Sequence, residues 1–81
     1  MITRSMSVAE PRVSGDQTVR ALERLGFARV AQYGLNVVLR RTADDTAGEC
    51  VVPLQDEIPV GALMGILRQA GVSTEAFYAL L

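Results

Sequence analysis

The sequence contains no histidine, no lysine and no tryptophan, and its single cysteine is Cys50. Without histidine, the chain lacks the side chain that most often transfers protons near neutral pH. A lone cysteine excludes a disulfide within the chain, and a zinc site would have too few of its usual ligands. We therefore expect no metal and no cofactor. Cys50 is expected to be a small buried residue of a strand.

The composition predicts one small globular domain. The chain has 81 residues, about half of them apolar, and a net charge of -1 at pH 7, so no strong overall field attracts nucleic acid. Residues 1–12 lack the apolar block of a signal peptide, and no run is apolar and long enough to cross a bilayer. We expect a cytoplasmic protein without membrane contact, with a disordered tail at residues 1–12 and a domain at residues 13–81.

All eight basic residues are arginine. The planar guanidinium group suits bidentate contacts to phosphate and carboxylate. A GC-rich coding sequence would produce the same composition without any functional reason.

Local patterns predict two main helices. Ser14 and Gln17 have the spacing of a capping box, which predicts a helix that runs to about Leu25 and ends at Gly26. A second helix is predicted to begin beyond Glu57 with Pro59 in its first turn, because the apolar residues recur with helical spacing up to Gly71. A short last helix is capped by Ser73, and three apolar residues near it are expected to close the core: Phe77, Leu80 and Leu81.

Three strands are predicted between the main helices, at residues 27–33, 36–41 and 49–54, with a tight reversal at Gly34 and a polar loop at residues 42–48. Consecutive strands with short connections form an antiparallel meander. Two helices packed on one face of this meander would give a two-layer α+β fold with the order α-β-β-β-α.

Alternation along the second strand places Asn36 and Arg40 on the same face. Arg40 is a candidate for a bidentate phosphate contact, and an ion pair with Asp44 or Asp45 is the alternative. Tyr33, beside the reversal, could stack on a flat base of a ligand or pack against the protein. The sequence leaves both choices open.

Several segments together resemble the HicA family of small ribonuclease toxins from bacterial toxin–antitoxin pairs. The resemblance covers nearly the whole predicted domain, and it rests on the order and separation of the segments, since no single one is specific. The segments are Val-Ser-Gly at 13–15, Val-Arg-Ala-Leu at 19–22, Leu-Gly-Phe at 25–27, Val-Val-Pro at 51–53, Gly-Ala-Leu at 61–63, Ile-Leu-Arg-Gln-Ala-Gly-Val-Ser at 66–73 and Glu-Ala-Phe at 75–77.

This resemblance implies a fold like that of the double-stranded-RNA-binding domain. It also implies a type II toxin that cleaves single-stranded mRNA without a metal ion, arrests translation and growth, and is neutralised by a HicB-type antitoxin. In such pairs the antitoxin covers the active surface of the toxin and often carries the DNA-binding element, so direct DNA binding by this chain is not expected.

The sequence departs from the family pattern at three positions. Asn36 stands in the slot of the catalytic histidine of the family motif Gly-x-His, which begins here at Gly34, and Gln55 and Val60 stand where histidine and lysine are often found. The expected RNA-binding residues are Gly34, Arg40 and Gln55. Asparagine cannot exchange a proton at neutral pH, so we expect weak or abolished cleavage on an intact binding surface.

Three alternatives remain open from the sequence. Asn36 fits either an introduced replacement or natural divergence of the family. The chain fits either an impaired endoribonuclease or a non-catalytic module of the same fold that binds the antitoxin or RNA. For the function there is also a third possibility, which is that the chain is an unrelated small α+β adaptor protein.

Overall fold

A computed structural model describes residues 12–41 and 48–81 of the chain. The predicted tail lies outside these residues except for Arg12, and so does the predicted loop except for Gly48. The described elements are, in chain order, α1 (Gly15–Arg24), β1 (Ala28–Tyr33), β2 (Asn36–Arg41), β3 (Gly48–Pro53), α2 (Val60–Ala70) and α3 (Thr74–Tyr78). The three strands form one antiparallel sheet in the order β1-β2-β3, which confirms the predicted α+β meander.

Helix α1 begins and ends as the sequence predicts. The Ser14 hydroxyl accepts a hydrogen bond from the Gln17 amide at 3.0 Å, and the Gln17 side chain accepts one from the Ser14 amide at 2.9 Å, which completes the capping box. At the other end Gly26 has a φ of 100°, and the Phe27 amide donates to the Leu22 carbonyl. This left-handed ending brings the chain back toward the sheet.

The hydrophobic core lies between the helices and one face of the sheet. Strands β2 and β3 contribute Val37, Leu39, Cys50 and Val52 to it, which agrees with the predicted alternation along β2. Phe77 is fully buried, Leu80 is half-buried, and Leu81 is 48% exposed, so the prediction that Leu81 closes the core is wrong. Each large apolar side chain that is fully buried stabilises the fold by roughly 1.5–3 kcal/mol.

Strand β1 lies at one edge of the sheet and is covered by the helices much less than the other two strands are. The main helices contact β3, whereas most β1 residues are exposed. The pairing of β1 with β2 shifts between Arg29 and Ala31, which leaves Val30 as an extra residue in a bulge. This bulge explains why the sequence of β1 alternates imperfectly, because one additional residue reverses the inside–outside pattern.

Helix α1 approaches the end of β3 very closely at Gly15. A Cβ atom at this position would overlap the carbonyl oxygen of Pro53 and lie 2.6 Å from the Leu54 Cα. The Gly15 amide donates to the carbonyl of Gln55 at 2.8 Å, and the Ile58 amide donates to the carbonyl of Val13 at 2.7 Å. The beginning of α1 is therefore attached to the segment that follows β3.

Candidate functional site

The open face of the sheet, opposite the helices, carries the residues of interest in three cross-strand rows. Cross-strand partners point to the same face, so the strand pairing defines each row. The row at the hairpin end consists of Tyr33, Asn36 and Pro53, and we call it the hairpin-end row. The next two rows are, in order, Ala31 with Val38 and Val51, and Ala28 with Arg40 and Glu49.

Asn36 begins β2 directly after the two-residue reversal at Gly34 and Leu35. Gly34 has a φ of 62°, a conformation that glycine adopts without strain, and it allows the chain to turn back within two residues. The side chain of Asn36 is exposed, and within the described residues its carboxamide makes no hydrogen bond. This amide is therefore available to a ligand on the open face.

Gln55 lies at the same end of the sheet as Asn36. The Leu54 amide donates to the carbonyl of Leu35 at 2.7 Å, which holds the segment after β3 against the hairpin. The backbone carbonyl of Gln55 is used by α1, whereas its side chain is exposed. Three of the four predicted site residues, Gly34, Asn36 and Gln55, are thus brought to one end of the domain.

Arg40 shares the open face with Asn36 but lies at the other end of the strand. The two residues are four positions apart along β2, so their Cα atoms are separated by roughly 13 Å. The Arg40 guanidinium contacts the Glu49 carboxylate at 2.8 Å, so Arg40 forms an ion pair with its cross-strand neighbour. The predicted partners Asp44 and Asp45 lie outside the described residues.

Apart from Arg68, each of the other arginines in the described residues also forms an ion pair or a hydrogen bond. Their partners are carboxylates, in the pairs Arg12–Glu57, Arg20–Asp16 and Arg29–Glu23, or backbone carbonyls, in the contacts of Arg24 with Leu80 and of Arg41 with Leu25. Arg41 also lies over the ring of Phe27, with 4.8 Å between its guanidinium carbon and the ring centroid. The open face therefore presents a neutral ion pair in place of a cluster of free cations.

Tyr33 is the residue whose exposure the sequence left undecided. It is 71% exposed, which rules against the alternative that it packs against the protein. Hairpin pairing alone could have placed it beside Asn36, since a two-residue reversal makes its flanking residues direct partners. Pro53, on the other side of Asn36, was not anticipated as a neighbour.

Neither a metal site nor a membrane-spanning helix is present in the described part of the chain. No group of three or more histidine, cysteine, aspartate or glutamate side chains there could hold a metal ion. None of its helices combines the length and the apolar character needed to cross a bilayer.

The sequence model of the family described as the HicA toxin of bacterial toxin–antitoxin pairs matches residues 15–72, well over half of the chain. The chain belongs to the HicA toxin family. No curated protein sequence matches it.

Membership of the HicA family makes this protein a toxin of a toxin–antitoxin pair with a cognate antitoxin as its partner. The observed sheet and helices agree with the double-stranded-RNA-binding-domain-like fold of HicA toxins. The match includes α1, all three strands and α2, and so it spans the hairpin-end row.

Proposed function

We propose that this HicA protein is a type II toxin that binds single-stranded mRNA at the hairpin end of its open sheet face, in the cytoplasm, with Asn36 in the position of the family's catalytic histidine. The observation that supports the proposal is the exposed Asn36 carboxamide, which has no hydrogen-bond partner in the described residues and stands in the slot that the family resemblance assigns to catalysis. Gly34 and Gln55 lie at the same end and would contact the RNA there.

The chemistry of this site would be strongly impaired. Cleavage by internal attack requires that a proton leaves the ribose 2′-hydroxyl and that another reaches the departing oxygen. The Asn36 amide can hydrogen-bond a phosphate or a hydroxyl, but it can take up neither role at neutral pH. Loss of one such group typically lowers the rate by about 10²–10⁴. We expect RNA binding to be retained and turnover to be weak or absent.

The proposal is tested by placing a histidine at position 36. The Asn36→His variant, the parent protein and the Asn36→Ala variant would be compared for metal-independent cleavage of single-stranded RNA and for growth arrest after induction. We expect cleavage and arrest with the histidine variant, and far less of both with the other two proteins. A histidine variant that is folded but inert on RNA would show that Asn36 does not occupy the catalytic position.

A second candidate function is a non-catalytic module on the same fold that binds the antitoxin or RNA. The paired arginines favour its antitoxin-binding form, because a surface with few free cations holds RNA phosphates weakly. Turnover of RNA by the purified parent protein, absent from an Asn36→Ala preparation made in the same way, would count against this function. Stable co-purification with the antitoxin, in the absence of any turnover, would support it.

A further inference from the structure

The hairpin-end row places an unused aromatic ring directly beside Asn36. Tyr33 and Asn36 are cross-strand partners, so their Cβ atoms lie roughly 4.5–5.5 Å apart on the open face. Among the large apolar residues in the described part of the chain, Tyr33 is the most exposed. Pro53 pairs with Asn36 from the other strand, so the asparagine stands between a phenol ring and a proline ring.

The Tyr33 side chain makes neither a ring contact nor a hydrogen bond in the described residues. The second tyrosine is different, because Tyr78 is half-buried and packs edge-on against Phe77 with 5.5 Å between ring centroids. At 71% exposure, the Tyr33 ring is accessible to a ligand on the open face.

We propose that Tyr33 is a stacking residue that holds one unpaired RNA base beside Asn36. This inference rests on the proposed function, and it adds the residue that positions the nucleotide. A base stacked on the Tyr33 ring would bring its own ribose and phosphate next to the Asn36 carboxamide. Stacking requires a splayed, single-stranded base, so it would also select single strands over duplexes.

The chemistry of the row favours a nucleotide over a protein side chain. Tyr33 offers a flat aromatic face, and the adjacent Asn36 offers a donor and an acceptor without partners in the described residues. A nucleotide presents both a flat base and hydrogen-bonding groups at this separation. Stacking also needs no free cation, which matters because the arginine on this face is paired with Glu49.

The experiment uses the intrinsic fluorescence of Tyr33. The chain has two tyrosines and no tryptophan, so in a Tyr78→Phe protein Tyr33 is the remaining tyrosine. Titration with single-stranded oligo(A), oligo(U) and a duplex RNA would follow its emission. We expect saturable quenching by the single strands, stronger with oligo(A) because adenine stacks better, and no quenching by the duplex.

Binding of end-labelled oligo(A) would be measured in parallel by fluorescence anisotropy. Tyr33→Ala should weaken binding by about 5- to 150-fold, and Tyr33→Phe should retain it because the ring remains. Leu35→Ala is the matched control, since Leu35 belongs to the same hairpin, is 67% exposed and has no aromatic face. It should bind like the parent.

Three results would overturn the inference. If RNA binds without changing Tyr33 emission and Tyr33→Ala binds equally well, stacking is wrong although the proposed function stands. If neither the parent nor the Asn36→His protein binds single-stranded RNA, the inference and the proposed function both fail. If Tyr33 emission changes with the antitoxin and not with RNA, the row is a protein contact.

Discussion

Arg40 lies directly opposite Glu49 on the neighbouring strand, and two of its guanidinium nitrogens approach the same carboxylate oxygen of Glu49, at 2.8 and 3.3 Å. Both side chains are about half exposed, so water and salt screen the pair. Exposed pairs of this kind typically contribute only about 0.2–1 kcal/mol to stability. The larger consequence is electrostatic, because the pair neutralises the arginine of the open face.

Removing the charge of Glu49 should therefore strengthen RNA binding. In Glu49→Gln the Arg40 guanidinium is free to contact a phosphate, and the slope of log affinity against log salt should become more negative by about 0.7. Stability should fall by no more than about 1 kcal/mol. Binding of single-stranded RNA at several salt concentrations measures the first effect, and denaturant unfolding measures the second.

Glu23→Gln provides the matched control for this prediction. It frees Arg29, which forms an ion pair with Glu23 at 3.3 Å and pairs with Leu39 on the helix-facing side of the sheet. The salt dependence of RNA binding should match that of the parent. An equal increase in RNA affinity in the two variants would mean that net charge, and not the position of Arg40, controls RNA binding.

Two glycines should respond to alanine in opposite directions. Gly65 lies inside α2, and a Cβ there would meet nothing within 4 Å, so Gly65→Ala should stabilise the fold by about 0.5–1 kcal/mol. Gly15→Ala should destabilise it by about 1–3 kcal/mol, because the new methyl group would overlap the backbone at Pro53. Urea unfolding of the two variants and the parent gives both values.

The test depends on whether each substitution raises or lowers the free energy of unfolding. A neutral Gly15→Ala variant would contradict the close approach of α1 to the end of β3. A destabilised Gly65→Ala variant would show that the surface of α2 at this position is occupied by something other than solvent.

Alkaline pH should weaken the fold through Cys50. Burial raises the pKa of this thiol from 9.0 to about 11, and the negative charge of Glu49 adds to the effect. Between these values the thiol stays protonated in the folded protein and ionises in the unfolded chain. The stabilisation that comes from the protonated thiol is complete below pH 9. Between pH 9 and pH 11 the free energy of unfolding should fall by about 1.4 kcal/mol per pH unit.

Unfolding by urea at pH 8, 9, 10 and 11 would measure this loss, with Cys50→Ala as the control. The alanine variant is less stable at every pH because it leaves a cavity, but it lacks the thiol and should lose less stability between pH 9 and pH 11. Parallel curves for the two proteins would contradict a buried, protonated Cys50.

Local signals in the sequence predicted most of the elements. The capping box at Ser14, the left-handed Gly26 and the cap at Ser73 are confirmed, because each depends on hydrogen bonds between residues a few positions apart. Strand limits differ by about one residue: Phe27 precedes β1 and belongs to the core, and β3 begins at Gly48. The bulge at Val30 could not be recognised, since alternation alone does not distinguish an inserted residue from an irregular strand.

The candidate site was predicted in part. The side of β2 that carries Asn36 followed from alternation, and the exposure of Asn36 agrees with it. The choice for Tyr33 between packing and exposure could not be made, because it depends on whether another part of the chain covers the open face beside β1. The partner of Arg40 was also missed, since Glu49 lies on the next strand along the chain.

The sequence by itself determined the order of helices and strands, the face of β2 that is buried and the hairpin that joins β1 to β2, because these follow from interactions between nearby residues. Only the tertiary structure decided that Pro53 lies beside Asn36, that Glu49 neutralises Arg40 and that nothing in the described residues covers Tyr33. Those relationships depend on the register of β3 and on the placement of the helices, which are set by packing of the whole core.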